Sequence, residues 1–297
     1  MLDDDDRIRA SYDQEPDREW QRLERGAQAR LEFLVTMHVL ARSLPPLDRP
    51  RHLLDAGGGP GRYTLALARQ GYQVTLLDLS PALLDLARAR IAHAESSVQE
   101  RIVRIIEGSI DDLTGFDDAQ FDAVLCLGGP LSHILDPARR RHALRGMCRV
   151  LHPDGRLFIS VMNRLAGFRS VVQWPHAWAQ FLPGLLTGGY TTMGPTALPV
   201  YTFLPEEFVH ALTEAGLGIQ AMYGCQGLGA HLQEDHLLAL MADPEKWPIW
   251  EQMLLATCGH PNIIGVSNHL LAVTGRTDKD SGNESDPRAP TDEVGET

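Results

Sequence analysis

Residues 52–68 read His-Leu-Leu-Asp-Ala-Gly-Gly-Gly-Pro-Gly-Arg-Tyr-Thr-Leu-Ala-Leu-Ala, and this stretch decides the fold class. An apolar run ends in an acid, glycines follow, and a helical apolar pattern begins directly after them. Glycine adopts positive φ angles without strain and lets the backbone approach a ligand closely. The N-terminus of the helix adds N–H donors and positive potential. The stretch therefore predicts a strand, a ligand-binding turn and a helix, a unit that several nucleotide-binding folds share.

A second acidic residue sharpens this prediction. Asp78 ends the next apolar run, 21 residues after Gly57. A carboxylate at that place would accept hydrogen bonds from both hydroxyls of an adenosine ribose. The alternative interpretation is purely structural: a glycine-rich turn beside an aspartate that caps a helix.

The spacing of the glycines narrows the choice of nucleotide. Gly57, Gly59 and Gly61 form the pattern G-x-G-x-G, whereas the dinucleotide fingerprint places its third glycine three residues after the second. No Gly-Lys-Ser or Gly-Lys-Thr follows, so the Walker pattern is absent. Asp55 stands two residues ahead of the first glycine. A tight loop led by an acid suits the amino-acid end of a methionine-derived cofactor better than a pyrophosphate.

Apolar runs and helical patterns alternate from residue 53 to residue 162, which predicts an α/β fold with a parallel sheet. Before this region, apolar residues at helical spacing predict one helix over residues 17–43. After it, residues 163–203 interrupt the alternation with many aromatic side chains, so we expect them to form an inserted cap.

The chain divides into five segments on this basis. The predicted segments are an N-terminal acidic arm and helical lid (1–50), the α/β core that binds the nucleotide (51–162), the inserted cap (163–203), the C-terminal part of the α/β core with a helical insertion (204–276) and a disordered acidic tail (277–297). Disorder is expected in the tail because its composition cannot bury enough apolar surface to offset the entropy of ordering.

The formal net charge of −12 is concentrated at the two ends of the chain. Residues 1–20 hold eight acids against three arginines, and residues 277–297 hold seven acids against two basic residues. The rest of the chain is nearly neutral. It lacks the basic face that a nucleic-acid partner normally requires, so we expect no nucleic-acid partner.

The cysteines and the first residues predict the compartment. The four cysteines form no CxxC pair and no zinc-type spacing, so we expect neither a metal site nor disulfides. No apolar run approaches the ~20 residues that span a bilayer. The chain begins Met-Leu-Asp-Asp-Asp-Asp, unlike the basic and apolar parts of a secretory signal. These features predict a cytoplasmic protein without a membrane partner.

Five motifs, in order, resemble those of the class I S-adenosylmethionine-dependent methyltransferases. They are the glycine-rich motif at 53–61, the acidic loop at 74–81, the adenine-contacting loop at 107–113, the fourth motif at 121–127 and the turn into the fifth strand at 151–158. The resemblance covers roughly residues 50–162. It implies a doubly wound, seven-stranded, mostly parallel sheet with an N-terminal helical lid and an inserted cap. It also implies S-adenosyl-L-methionine as cofactor and S-adenosyl-L-homocysteine as product.

The resemblance implies roles at the methionine end of the cofactor. Gly57, Gly59 and Gly61 would cradle the methionine, and Asp55 would hold its amino group, directly or through water. The residues implied on the methionine side after the fourth strand are Leu127 and Gly128.

At the nucleoside end, the resemblance implies that Asp78 binds the ribose and that Leu79 packs on the adenine. Ser109 and Ile110 would contact the adenine edge. Ser109 departs from the family pattern, since aspartate is common at this position, and a hydroxyl accepts more weakly from the adenine amino group. The acid could instead come from Asp111 or Asp112.

Methyl transfer requires alignment of acceptor, methyl and sulfur, and it requires a base only where the acceptor retains its proton. His133 follows the fourth strand, at the edge where ligands bind in such sheets, and is the candidate for orienting or deprotonating an acceptor. Local packing is the alternative role. The aromatic candidates for substrate binding, for each of which ordinary packing is the alternative, are Tyr12, Trp20, Trp174 and Tyr201.

The sequence thus predicts an S-adenosylmethionine-dependent methyltransferase that acts on an oxygen or nitrogen atom of a small-molecule acceptor. A non-catalytic S-adenosylmethionine-binding regulatory module and a protein or tRNA methyltransferase remain alternatives. A nicotinamide oxidoreductase is disfavoured by the glycine spacing. The sequence indicates no particular oligomeric state.

Overall fold

The computed structural model describes residues 4–173, 178–193 and 197–277. The predictions for Trp174 and for the tail beyond residue 277 fall outside these ranges. Within them, the strands are β1 (His52–Ala56), β2 (Gln73–Asp78), β3 (Ile102–Glu107), β4 (Phe121–Cys126), β5 (Leu151–Met162), β6 (Tyr190–Met193), β7 (Leu198–Tyr201), β8 (Leu217–Gly224) and β9 (His269–Arg276).

Seven of these strands form one sheet in the order β3-β2-β1-β4-β5-β9-β8. The first five strands of this order pair in parallel, whereas β9 runs antiparallel to both of its neighbours. Every residue of β4 is buried, as expected for a sheet covered on both faces. The predicted fold class, a seven-stranded and mostly parallel sheet, is confirmed.

Helices cover the two faces of the sheet and the edge at which β1, β2 and β4 end. Within the described residues, they are α1 (Asp4–Asp13), α2 (Pro16–Arg22), α3 (Ala27–Ser43), α4 (Arg62–Gln70), α5 (Pro81–Ala92), α6 (Ser96–Gln99), α7 (Pro130–His133), α8 (Pro137–Val150), α9 (Arg164–Gln173), α10 (Trp178–Thr187), α11 (Pro205–Glu214), α12 (Glu234–Met241), α13 (Trp247–Thr257) and α14 (Pro261–Ile264).

The N-terminal region differs from the single helix predicted over residues 17–43. The chain forms α2 and α3 with a break between them, because Gly26 adopts a φ of +127° that an α-helix cannot accommodate. A further helix, α1, precedes them and begins with three aspartates, which interact favourably with the positive end of its dipole. Helical periodicity could not reveal this helix because α1 has no buried residue.

Residues 163–203 lie between β5 and α11 and contain α9, α10 and the hairpin of β6 and β7. Arg164, which is buried, fixes this segment to the core. Its guanidinium donates to both carboxylate oxygens of Glu207, at 2.9 and 2.6 Å, and to the Thr202 carbonyl at 2.8 Å. Whether the segment covers a bound acceptor stays a prediction.

Three apolar clusters hold the layers together, and the two largest lie on opposite faces of the sheet. On one face, α3 packs through Leu31 and Val35 against a cluster that includes Phe158 of β5. On the other, α8 packs through Leu144 and Met147. Among the described residues, none of the helices combines the length and the apolar character that crossing a bilayer requires.

Candidate functional site

A cavity lies at the edge of the sheet where β1, β2, β3 and β4 end. It has about 980 Å³ of empty space, part of it open to solvent. The loops that follow these four strands line it, and α1 and α2 cover it from the N-terminal side. Ligands of open α/β sheets bind at this edge, so the topology itself selects the place. Most of the cofactor-binding residues predicted from the sequence line the cavity, namely Gly57, Gly59, Asp78, Leu79, Ser109, Ile110, Leu127 and Gly128.

The glycine loop that follows β1 brings its backbone to the wall of the cavity. Its Gly57 donates its N–H to the Leu77 carbonyl at 2.7 Å and has a φ of +76°. A Cβ at this position would lie 2.7 Å from Cγ of Pro130. Gly61 does not line the cavity. It is the N-cap residue of α4 and has a left-handed backbone conformation.

Substitution of Gly57 by alanine is expected to destabilise the fold by about 2 kcal/mol, because the Cβ meets Pro130 and the φ is unfavourable for any L side chain. Urea unfolding measures this change. Gly115→Ala is the matched control, since a Cβ there meets nothing within 4 Å. Equal stability of the two variants would contradict the role assigned to the loop.

Asp78, at the end of β2, presents a buried carboxylate to the cavity. Its Oδ2 accepts from the Gly59 N–H at 2.7 Å and its Oδ1 from the Ser80 N–H at 2.9 Å. Burial raises the pKa of Asp78 to about 6, although these backbone hydrogen bonds favour the charged form. Each carboxylate oxygen can accept a second hydrogen bond, so the group remains able to bind two hydroxyls of a ligand.

Asp55 lies beneath the glycine loop and does not line the cavity. Its Oδ2 accepts from the Thr64 hydroxyl at 2.6 Å, and its Oδ1 is buried without a hydrogen-bond partner. Burial raises the pKa of Asp55 to about 6. Asp55 is therefore not placed to contact a ligand in the cavity directly.

The acidic alternatives to Ser109 do not face the cavity either. Asp111 accepts from Ser109 and from Arg139, whereas Asp112 is exposed and accepts from Thr114. Ser109 is thus the residue of this loop that presents a polar side chain to the cavity.

His133 and Tyr12 meet inside the cavity although 121 residues separate them. The Tyr12 hydroxyl lies 2.9 Å from Nε2 of His133, and the two rings form an edge-to-face contact. Burial and the charge of Arg22 lower the pKa of His133 to about 4. A hydrogen bond with the Pro199 backbone acts in the opposite direction but is the smaller effect. Burial and the charge of Glu19 raise the pKa of Tyr12 above its usual range. At neutral pH the pair is therefore an uncharged imidazole and an uncharged phenol.

A charged network around the buried Glu32, which the sequence did not reveal, lies next to this pair. Arg22 lines the cavity and donates to Glu19 at 2.6 Å and to Glu32 at 3.3 Å. Glu32 lies 3.2 Å from Nδ1 of His269, which belongs to β9. Although burial opposes its charge, Glu32 and Glu19 raise the pKa of Arg22. The one available signal was the presence of Glu32 on the apolar face of α3.

Arg22 lies against the loop after β4 at a glycine whose left-handed backbone conformation disfavours any other residue. A Cβ on Gly128 would lie 2.7 Å from Nη2 of Arg22, and Gly128 has a φ of +83°. The Arg22 guanidinium therefore lies against the backbone of Gly128, which the family resemblance places beside the methionine end of the cofactor.

Two predicted substrate-binding aromatics do not line the cavity. Trp20 packs between Arg62 and Arg90, each 4.7 Å from its ring centroid. Tyr201 packs under Arg140, at 3.7 Å, and contacts Glu207. Both positions match the alternative of ordinary packing, and a role of these two residues in substrate binding stays a prediction. Among the residues that the structure describes, no group of three or more His, Cys, Asp or Glu side chains could hold a metal ion.

The parallel sheet, the glycine loop after its first strand and the acid after its second define a class I methyltransferase fold. Residues 53–155 match the family model described as a methyltransferase domain. This match to a methyltransferase domain agrees with the resemblance seen in the sequence. The methyltransferase-type domain predicted from the sequence is confirmed over this segment.

Known proteins of similar sequence or fold support the same class. A ubiquinone biosynthesis O-methyltransferase from Xylella fastidiosa is 39% identical over 140 residues, which are 46% of this chain and 52% of that protein. The chain thus spans about half the length of the curated relatives it matches. The sequence similarity therefore does not extend over the rest of this chain.

Solved structures of low sequence identity share the fold over most of the chain. The 1,6-didemethyltoxoflavin-N1-methyltransferase of Burkholderia thailandensis, bound to 1,6-didemethyltoxoflavin and S-adenosylhomocysteine, has a TM-score of 0.54 at 19% identity and covers 92% of this chain and 88% of its own. The [4+2]-cyclase SpnF has a TM-score of 0.53 at 19% identity and covers 84% of this chain and 81% of its own. The fold alone therefore does not fix the acceptor.

Proposed function

We propose that this protein transfers a methyl group from S-adenosylmethionine to an oxygen or nitrogen atom of a small-molecule acceptor, with a hydroxyl as the preferred acceptor. The observation that carries the proposal is the joint placement of a nucleoside-type site around Asp78 and the Tyr12–His133 pair in one cavity. The O-methyltransferase names of the curated relatives and the N-methyltransferase of similar fold support the two acceptor atoms. When bound, S-adenosylmethionine supplies an electrophilic methyl group on a sulfonium.

The residues of the cavity fit this cofactor. Gly57 and Gly128 leave space that a Cβ would fill, and the Asp78 carboxylate matches a ribose with two hydroxyls. We assign Leu79 and Ile110 to the faces and edge of the adenine and Leu127 to the methionine side. Asp55, beneath the loop, would reach the amino group through a water that its unpartnered Oδ1 could bind.

Arg22 extends this assignment to the carboxylate end of the methionine. Its guanidinium lies against Gly128 and carries a charge that Glu19 and Glu32 stabilise. A guanidinium forms two parallel hydrogen bonds with a carboxylate. We therefore assign the methionine carboxylate to Arg22.

The Tyr12–His133 pair offers a path for the acceptor's proton. A neutral imidazole accepts a hydrogen bond at one nitrogen, and Nε2 of His133 is placed to accept from the Tyr12 hydroxyl. The phenol oxygen of Tyr12 then has lone pairs for the hydroxyl of an acceptor. When an acceptor hydroxyl attacks a methyl carbon whose bond to sulfur breaks, the Tyr12 oxygen would take the proton of that hydroxyl and Tyr12 would pass its own proton to Nε2 of His133. The arrangement also orients the acceptor, which supplies part of the rate.

Methyl transfer from labelled S-adenosylmethionine tests the proposal on the full chain. The acceptors are a panel of small phenols and catechols, the matching aromatic amines, bulk tRNA and a denatured protein mixture. We expect methylated phenols or catechols and no transfer to the macromolecules. Transfer only to tRNA or protein would refute a small-molecule acceptor, and binding without transfer to any of these acceptors would favour a regulatory module.

Removal of the phenolic hydroxyl of Tyr12 is expected to lower kcat by about 30-fold, because the acceptor loses its proton path and its orientation. Tyr12→Phe should leave the affinity for S-adenosylhomocysteine within about twofold, since the Tyr12 hydroxyl is bonded to His133 and is not assigned to that ligand. Tyr72→Phe is the matched control, because its hydroxyl is bonded to the Pro45 carbonyl outside the cavity. An unchanged kcat in Tyr12→Phe would contradict the proton path.

A further inference from the structure

Ser109, in the loop after β3, is held in one hydrogen-bonding direction. Its Oγ lies 2.5 Å from Oδ1 of Asp111 and donates its hydrogen there, because a carboxylate can only accept. Ser109 lines the cavity and Asp111 does not. The hydroxyl oxygen can therefore face a ligand only as a hydrogen-bond acceptor.

Arg139 of α8 keeps Asp111 in this orientation. Its Nε donates to Oδ2 of Asp111 at 2.6 Å, so Ser109 binds one carboxylate oxygen and Arg139 binds the other. Although burial opposes the charge, hydrogen bonds from Arg139 and Ser109 hold the pKa of Asp111 below its usual range. The direction of the Ser109 hydroxyl thus follows from the charge on Asp111.

The same arginine contacts the helix that covers the cavity. Nη2 of Arg139 lies 2.8 Å from both carboxylate oxygens of Asp5 in α1. Nearby, Arg9 of α1 pairs with Glu107 at the end of β3, at 3.3 Å. Arg139 therefore joins the loop that carries Ser109 to the covering helix.

We infer that Asp111 and Arg139 are positioning residues that make Ser109 select a purine with an exocyclic amino group, and that the Arg139–Asp5 pair couples this selection to retention of the ligand under α1. The inference deepens the proposed function and rests on it. Adenine presents an N–H donor to the Ser109 oxygen, whereas hypoxanthine presents a carbonyl oxygen. Two acceptors that face each other lose the hydrogen bond and leave polar atoms unsatisfied.

Calorimetric titration with S-adenosylhomocysteine and S-inosylhomocysteine tests the selection on the full chain. We expect the wild type to bind the adenosyl compound about 100-fold more tightly than the inosyl compound. This ratio corresponds to the loss of one strong hydrogen bond together with the penalty for the polar atoms left unsatisfied. In Asp111→Asn, Arg139 retains the amide oxygen, so the amide NH₂ faces Ser109 and frees its hydroxyl to donate. The preference should then fall to about tenfold or less.

Two further variants separate selection from a general loss of structure. Asp112→Asn, at the exposed neighbouring acid, should keep the full preference. Asp5→Asn should also keep the preference but release S-adenosylhomocysteine about tenfold faster, because it weakens the bidentate ion pair that holds α1.

The outcomes distinguish the inference from the proposed function. If the wild type binds S-adenosylhomocysteine and Asp111→Asn retains the full preference, the inference is overturned while the cofactor site stands. Unchanged release from Asp5→Asn would overturn the coupling to α1. Absence of binding by the wild type to either compound would overturn both the inference and the proposed function.

Discussion

Asp78→Asn is expected to weaken the binding of S-adenosylhomocysteine by about 100-fold, because hydrogen bonds from ligand hydroxyls to a buried carboxylate are charge-assisted and stronger than those to an amide. The asparagine side chain has nearly the same shape, but its NH₂ group cannot accept from a hydroxyl and would oppose the N–H of either Gly59 or Ser80. Titration calorimetry measures the change.

The control for this variant is Asp85→Asn, at an exposed aspartate of α5 that pairs with Arg88. It removes the same charge at a short distance along the chain and should leave the affinity unchanged. Thermal unfolding of both variants without ligand checks that the fold is retained. If the affinity of Asp78→Asn lies within about threefold of the wild type, the change in binding free energy is smaller than the contribution of one ordinary hydrogen bond. Asp78 would then not belong to the binding site.

The same carboxylate predicts the direction of the pH dependence. Since burial raises the pKa of Asp78 to about 6 in the free protein, the group is charged at pH 7.5 and mostly protonated at pH 5. A ligand that donates to the carboxylate favours the charged form, so the affinity for S-adenosylhomocysteine should fall by about tenfold between these two pH values. Asp78→Asn should show a weaker dependence, limited to what Asp55 contributes, whose pKa burial also raises to about 6. An affinity of the wild type that rises towards acid would contradict the assignment.

Glu32→Gln has the largest expected effect on stability, a loss of about 3 kcal/mol in the free energy of unfolding. Glu32 is buried between Arg22 and His269, so its neutralisation leaves the partly buried guanidinium with Glu19 as its remaining anionic partner. Although burial opposes ionisation, His269 and Arg22 lower the pKa of Glu32 to about 2. A depressed pKa in the folded state contributes stability above about pH 4.5, and this contribution is lost as the pH falls towards 2.

Urea unfolding at pH 7 measures the effect of Glu32→Gln. Glu15→Gln, at an exposed glutamate paired with Arg18 in the same N-terminal region, is the control and should leave stability essentially unchanged. Because Arg22 also lines the cavity, Glu32→Gln should weaken ligand binding as well. A free energy of unfolding equal to that of the control would show that the network does not stabilise the fold.

The sequence was sufficient to predict the parts of the site that local rules control. A glycine with a positive φ, such as Gly57, and an acid at the end of the next strand, Asp78, leave short patterns in the sequence. The sheet order follows from the alternation of strands and helices together with the family resemblance. These features need no knowledge of distant side chains.

The remaining parts depend on contacts between distant residues, which spacing alone does not encode. Tyr12 reaches His133 only because α1 folds across the edge of the sheet, and Glu32 meets His269 only because α3 packs on β9. An aromatic residue gives no sign of its partner, so the sequence could not predict that Tyr201 stacks under Arg140.

The most direct test of the account is titration calorimetry of the full chain with S-adenosylhomocysteine and, separately, with NADH. We predict binding of one S-adenosylhomocysteine per chain, an affinity about 100-fold lower in Asp78→Asn, and no binding of NADH. Binding of NADH with no heat from S-adenosylhomocysteine, in the presence or absence of a catechol, would contradict the proposal that the cavity holds the methyl donor.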